Sequence, residues 1–459
     1  MFLASWLNFL RAPSPRPTSE RRRASCKPRV ELLEDRALPS TSYLLVSDYD
    51  GNSVLRYDGA MGAFVDAFVP KHSGGLNQPE GLVFGPRDHN LYVGSGEYAP
   101  SSEPHTAVLR YGGTTGAFID EFAKGPLDGP HAVIFGPDGN LYVADGFSFA
   151  TGDTKPSKIV RYNGTTGAFI DNFVPPDSGG LKGPWALVFG PSGRGAHDLD
   201  LYVASRRNDT IKRYHGTTGA YLGDFVVSGS GGLDAPIGLT FGPDGNLYVS
   251  AGFGDAPSAV FRYQGPSGKT PGAPMPSTGN SGAVFVASGS GGLLTTFALI
   301  FGPDGNRDGR QDLYLPSFKQ VGSNKSNEKT ATIKRYDGVT GAFIDTFVTP
   351  NSGGLDQPAY LTFTETDPVT LAYLGGDRLA AQSLPANSTN QKLGAELAQP
   401  LLAEAISRWT AAGVNTDHLG TIQLQVANLG GTTLGLAAGH TIWLDDNAAG
   451  WGWFVDATP

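Results

Sequence analysis

The chain is 459 residues long, room for two or three domains of ordinary size. It carries 34 Lys and Arg against 43 Asp and Glu, a net charge of −9, which argues against a nucleic-acid partner. With 64 Gly, 33 Pro and only 17% charged residues, the composition is that of many short strands joined by tight turns. Aromatics at 10% argue against a disordered body. Cys26 is the single cysteine, so no intrachain disulfide framework or thiolate metal site can form. No run of about 18 apolar residues occurs, and no membrane span is predicted.

Residues 1–40 read as a leader. An apolar run from Met1 to Leu10 precedes a basic, Pro- and Ser-rich stretch that includes Arg21, Arg22 and Arg23, the reverse of the order in a standard signal peptide. The segment ends in RVELLEDRALPS, Arg29–Ser40. This phrase resembles the N-terminal L-E-x-R-x-L-P-S signature of large exported and surface proteins of planctomycete-type bacteria. That resemblance implies an extracellular or cell-surface location.

From residue 42 to 365 one phrase recurs. It reads P-x-x-L-x-F-G-P-D-G-N-L-Y-V and, after a loop, R-Y-D-G-x-T-G-A-F-I-D-x-F; the stretch Pro130–Phe173 is a clean copy. Each copy contains four short strand signals. The second strands begin at Leu44, Leu91, Leu141, Leu201, Leu247 and Leu313, roughly 46 to 66 residues apart. Four strands in such a period predict a propeller blade, the longer copies carrying loop insertions. Asp-Gly-Asn and Asp-Gly-x-Thr-Gly are hairpin chemistry, because these turns need positive φ. Ser-Gly-Gly-Leu recurs at Ser73–Leu76, Ser178–Leu181 and Ser352–Leu355, with Gly-Gly-Leu at 231–233 and 291–293. Without a following Lys-Ser/Thr or helix it reads as the turn between blades rather than a phosphate loop.

The first copy starts at its second strand, and Gln357–Phe363 supplies a first strand with no second. The expected architecture is therefore all-β: a six-bladed β-propeller closed by a blade of three N-terminal strands and one C-terminal strand. Closure removes the free sheet edges that invite aggregation. The region resembles NHL-type six-bladed propellers.

In such a ring, Glu80, His131, Trp185, Ile237, Phe297 and Ala359 occupy equivalent places at the start of the first strands and are expected at the mouth of the central channel. Asp48, Ser95, Asp145, Ser205, Ala251 and Ser317 follow the second strands. The resemblance to six-bladed lactonases and lyases implies carboxylates and imidazoles at such places. Glu80, His131, Asp48 and Asp145 are the candidates to hold a metal and activate water. Trp185 and Phe297 point instead to an aromatic mouth for a partner, or to a plugged channel.

A second candidate is the turn Asp304–Asp312. Asp304, Asn306, Asp308 and Asp312 stand at positions 1, 3, 5 and 9, with Gly309 at position 6, a spacing of hard oxygen ligands suited to Ca²⁺. Position 12 is Leu315 rather than a bidentate Glu, and the alternative is an elaborated Asp-Gly turn.

After a linker over 366–392, residues 393–459 read as a small α+β segment. A helix is expected over Gln399–Gly413, with Pro400 in its first turn and Gly413 as its stop. Strands follow at Ile422–Val426, Leu434–Ala437 and Thr441–Leu444, then an acidic aromatic stretch closes in GWFVDATP. This order resembles the N-terminal half of matrixin-like metzincins. No His-Glu dipeptide occurs in the sequence, so the two zinc ligands and the base of H-E-x-x-H are carried over to no residue here. His418 and His440 read as surface residues.

The functional expectation is an exported or surface-associated, non-enzymatic binding or structural module whose partner is a protein or a cell-envelope glycan. The alternatives are a metal-dependent lactonase- or lyase-like enzyme using Glu80 and His131, and a matrixin-like protease lacking its catalytic helix.

Overall fold

The computed structural model describes residues 43–364, apart from 97–105, 126, 147–155, 196–197, 253–257, 307, 309 and 320–329, and beyond 364 only four strands and scattered residues between 377 and 448. The leader, most of the acidic aromatic C-terminal stretch, His418, His440 and most of Gln399–Gly413 lie outside the described residues.

Between 43 and 364 the chain builds six four-stranded antiparallel sheets, and this repeated unit is that of a β-propeller. Sheet one holds Tyr43–Asp48, Ser53–Asp58 and Phe64–Val69, with Pro358–Phe363 as its innermost strand. Sheet two holds Leu82–Phe84, Leu91–Ser95, Ala107–Tyr111 and Phe118–Lys124. Sheet three holds Val133–Phe135, Leu141–Asp145, Lys158–Tyr162 and Phe169–Val174. Sheet four holds Pro184–Pro191, Leu199–Ser205, Thr210–His215 and Tyr221–Val226. Sheet five holds Pro236–Phe241, Leu247–Ala251, Ala259–Tyr263 and Val284–Val286. Sheet six holds Ile300–Gly302, Asp312–Ser317, Thr332–Tyr336 and Phe343–Val348. The expected pairing of the chain ends is present: Leu44 lies opposite Phe363, Leu45 opposite Thr362 and Val46 opposite Leu361.

Three contacts join neighbouring sheets and follow from repeated residues, the third of them made by five sheets, since sheet one carries Leu45 where the others carry Tyr. The Tyr of each R-Y strand is buried and donates its hydroxyl to a carbonyl in the turn that ends the preceding sheet. Tyr57 reaches Ser352, Tyr111 Ser73, Tyr162 Gly125, Tyr214 Ser178, Tyr263 Ser230 and Tyr336 Ser290, all at 2.7–3.0 Å. The Gly of each G-A-F turn, or its counterpart Gly272, presses on a carbonyl of the preceding outer strand. A Cβ on Gly62, Gly116, Gly167, Gly219, Gly272 or Gly341 would fall 1.7–2.3 Å from that oxygen, and all six have positive φ, so only glycine fits. Finally, the Tyr of Leu-Tyr-Val stands edge-on between the Phe of its own outer strand and the Phe of the next sheet's inner strand. Tyr92 meets Phe122 and Phe135, Tyr142 meets Phe173 and Phe189, and Tyr314 meets Phe347 and Phe363, at centroid distances of 4.8–5.1 Å. Such T-shaped pairs add to the burial of the rings themselves.

The Ser-Gly-Gly segments are short 3₁₀ turns at Ser73–Gly75, Ser178–Gly180, Ser230–Gly232, Ser290–Gly292 and Ser352–Gly354, in the place between sheets expected of them. The aromatic that begins an outer strand lies over their first glycine: Phe118 on Gly74, Tyr221 on Gly179, Phe343 on Gly291 and Phe64 on Gly353.

The C-terminal residues form a separate mixed sheet in the order Asp377–Ala380, Thr433–Ala438, Thr441–Asp445, Gln423–Ala427, with the last two parallel. The stretch read as a linker thus contributes a strand, because Asp377–Ala380 pairs with Thr433–Ala438. Of the expected helix, Leu402, Ala403, Ile406 and Ser407 have helical backbone. Leu393, Ala398, Leu424 and Leu444 form a small core there. Among the described residues no helix is long and apolar enough to cross a membrane.

Candidate functional site

The residues that begin the inner strands converge, but they do not line an open mouth. Glu80, His131, Trp185, Ile237 and Ala359 are 0% exposed and Phe297 is 1% exposed. Trp185, Ile237, Phe297 and Ala359 come from four different sheets and belong to one apolar cluster. The expectation of an aromatic surface offered to a partner is corrected here: Trp185 and Phe297 are buried, and the plugged alternative fits their placement.

The plug is built in sequence. Glu80 enters from sheet two, where Gly81 N–H donates to the His131 carbonyl at 2.8 Å. A Cβ on Gly81 would lie 2.5 Å from that oxygen, so glycine lets the two strands close up. Glu80 Oε2 then meets His131 Nδ1 at 2.6 Å. The imidazole stacks on Trp185 with centroids 4.3 Å apart and planes at 22°. Trp185 in turn tilts against Phe297 at 5.6 Å, and the Arg206 guanidinium lies over the Trp185 ring, 4.9 Å from its centroid, as a cation–π contact. A carboxylate–imidazole pair without solvent is costly unless each satisfies the other.

Tyr360, which the sequence reading did not single out, completes the plug by donating its hydroxyl to the Trp185 carbonyl at 3.0 Å. A signal for it exists. The corresponding residues of the other copies are Gly81, Ala132, Ala186, Gly238 and Ala298. One large residue among five small ones marks the strand whose neighbour, Ala359, leaves space at the centre.

Of the four proposed ligands, only Glu80 and His131 meet. Asp48 Oδ1 accepts the Asp356 and Gln357 N–H groups at 3.2 and 2.8 Å. Asp145 Oδ1 accepts the Asp128 and Gly129 N–H groups at 2.8 Å each, and its Oδ2 pairs with Lys158 Nζ at 2.9 Å. The serines at equivalent positions do the same work: Ser95 accepts from Asn77, Ser205 from Lys182 and Ser317 from Leu294. This position is a latch for the backbone that enters an inner strand, and its side chains are spent on that backbone. Burial pushes the Asp48 carboxyl up to about 6, against the pull of the Gln357 and Asp356 N–H groups. Among the described residues no group of three or more His, Cys, Asp or Glu stands ready to hold a metal.

The turn Asp304–Asp312 shows the same economy. Asp304 Oδ1 and Asn306 Oδ1 accept the Asp308 N–H at 3.2 and 3.0 Å, and Asp308 Oδ1 accepts the Arg310 N–H at 2.9 Å. Asn306 Nδ2 donates to Asp337 at 2.9 Å, and Asp312 Oδ2 accepts the Gly305 N–H at 2.7 Å. Gly309 lies outside the described residues.

No protein-family model matches the chain, and no curated protein matches it. Solved structures similar to it include a protein of unknown function from Bacteroides caccae, at 14% identity and a TM-score of 0.44, covering 70% of this chain and 98% of that one. A gluconolactonase from Xanthomonas campestris is 17% identical over 60% of this chain and 79% of its own, with a TM-score of 0.38. An auxiliary nutrient binding protein from Bacteroides ovatus is 14% identical over 66% of this chain and 64% of its own, with a TM-score of 0.39. No substrate or partner passes from them to this chain.

Proposed function

We propose that this chain is a closed six-bladed propeller of NHL-like type, exported to the cell surface, that acts as a non-enzymatic binding or structural module for a protein or a cell-envelope glycan. One observation carries the reading. The axial positions, where a propeller enzyme would need water, substrate and polar ligands, are filled by the buried Glu80, His131, Trp185, Ile237, Phe297 and Ala359, each 0–1% exposed. Recognition then falls to the faces and connecting loops, which tolerate variation without loss of the sheets. The leader phrase Arg29–Ser40 supports export.

The test pairs binding with turnover. Purified chain is titrated onto cell-envelope fractions, and lactone hydrolysis is followed with Ca²⁺, Mn²⁺ or Zn²⁺ added. The reading expects saturable binding and no hydrolysis above the level of Glu80→Gln. Metal-dependent turnover that Glu80→Gln abolishes would establish the lactonase-like alternative instead.

A further inference from the structure

We propose that the ε-amine of Lys334 in sheet six is a capture site for small aldehydes, which it holds covalently as an imine. One register position across the ring shows why. The residue before each Arg-Tyr pair is Leu55, Leu109, Val160 and Phe261 in sheets one, two, three and five, but Lys212 and Lys334 in sheets four and six. An apolar slot thus receives a lysine twice, and both lysines are buried, at 2% and 8% exposure. A buried ammonium is costly unless a partner offsets its lost hydration.

The two sheets meet that cost differently. Lys212 lies opposite Asp224, and its Nζ donates to Asp224 Oδ1 at 2.8 Å. An ionised carboxylate only accepts, so it holds Lys212 as the ammonium. Lys334 lies opposite Thr346, and its Nζ stands 3.2 Å from Thr346 Oγ1. A hydroxyl accepts from an ammonium and, after rotation, donates to a neutral amine, so Thr346 serves both forms. On its other side Lys334 lies opposite Leu315, which is buried in an apolar cluster with Leu293. The charged neighbours along the two strands, Arg335 and Asp345, bond each other at 3.2 and 2.5 Å; one residue away, they belong to the opposite face of the sheet. Burial pulls the Lys334 amine below the ordinary lysine range.

The amine is also within reach of a small molecule. Its Nζ lies beside Gly292, an exposed residue of the turn Ser290–Gly292. A Cβ built on Gly292 would stand 3.8 Å from Lys334 Nζ and meet nothing else within 4 Å, so a small gap opens over the nitrogen. The Phe343 ring, its centroid 5.7 Å from Nζ, adds an apolar wall. A desolvated lysine amine in its neutral form is the nucleophile that makes Schiff bases with carbonyl compounds. The Nζ lone pair forms the C–N bond, the carbonyl π pair moves to oxygen, and one Nζ proton follows it to give the carbinolamine. That hydroxyl then leaves with the second Nζ proton as water, and the imine remains. The step needs neither oxidant nor reductant.

The experiment treats the full chain at about pH 7 with a limiting amount of ¹³C-formaldehyde and sodium cyanoborohydride, which traps each imine as a methylamine, and compares the lysines by peptide mass mapping. Lys334 should be methylated at least about fivefold faster than Lys212, because each unit of pKa changes the neutral fraction about tenfold. Thr346→Asp, at a half-buried position, gives sheet six the partner of sheet four and should slow Lys334 at least about fivefold. Asp224→Thr is the converse variant and should quicken Lys212. The ¹³C resonance of methylated Lys334 reads charge rather than access, and it should titrate at lower pH than those of the exposed Lys71 and Lys124. Equal rates for Lys334 and Lys212 overturn the proposal. So does a Lys334 rate that Thr346→Asp leaves unchanged, or a methylated Lys334 that titrates together with Lys71 and Lys124.

Discussion

The axis and the circumference of the ring are built by opposite rules. Around the circumference the same residues recur: a Tyr hydroxyl on a turn carbonyl, a Gly against an outer-strand oxygen, and in four sheets an Arg–Asp pair such as Arg110–Asp120 at 2.6 Å. At the axis no residue type appears twice among Glu80, His131, Trp185, Ile237, Phe297 and Ala359. Contacts that each blade makes with its neighbour are identical problems and receive identical solutions. The centre is one shared volume, and six side chains plus Tyr360 must fill it jointly, as in any close-packed core. Repetition therefore marks architecture here, while individuality marks the place where the six copies act as one body.

Substitutions can break that contrast from either side. The largest effect is expected at Gly116→Val. Its Cβ would stand 1.7 Å from the Phe68 carbonyl at a φ of +65°, and a loss of more than about 4 kcal/mol is expected from the clash and the backbone strain together. Denaturant unfolding measures it. Trp185→Ala comes next: it leaves a cavity between His131 and Phe297 and should cost about 3–5 kcal/mol. A loss below about 1 kcal/mol would mean that the axis is not packed.

The Asp48 latch adds a pH signature. Burial raises its carboxyl from 3.8 to about 6 in the folded chain, so the folded state binds the proton more tightly than the unfolded state does. Its contribution is largest below pH 4 and declines as pH rises through 6, by up to about 3 kcal/mol. Asp48→Asn cannot titrate. Its stability relative to the unaltered chain should therefore improve between pH 4.5 and pH 7.5, and a drift in the other direction would contradict the assignment. The smallest effect is that of Tyr111→Phe, which removes one hydroxyl bond to Ser73 and should cost about 1 kcal/mol.

The strands were legible in the sequence because their alternation and turn residues repeat, and a repeated signal averages out the ambiguity of short apolar runs. Closure was legible from the unmatched strand at each end. The central side chains were correctly grouped by register, yet their burial was not, because a register position tells which residues share a radius and nothing about how narrow that radius is. Reading Asp48 and Asp145 as ligands failed for a related reason. A carboxylate after a strand looks chemically active until Ser95, Ser205 and Ser317 are seen capping the same backbone. Tyr360 escaped notice because it lies one position beyond the register group that was compared, where the other copies carry Gly81, Ala132, Ala186, Gly238 and Ala298.

The sealing of the ring is tested most directly by oxidation of a chain with Val46→Cys, Leu361→Cys and Cys26→Ser. The two new residues are directly opposite in the pairing of Tyr43–Asp48 with Pro358–Phe363, within the reach of a disulfide after slight adjustment. Mass mapping should recover a single peptide pair joining residues 46 and 361 within one chain of the native protein. Two free thiols after oxidation of the folded chain would show that the C-terminal strand lies elsewhere, and the packed axis would fall with it.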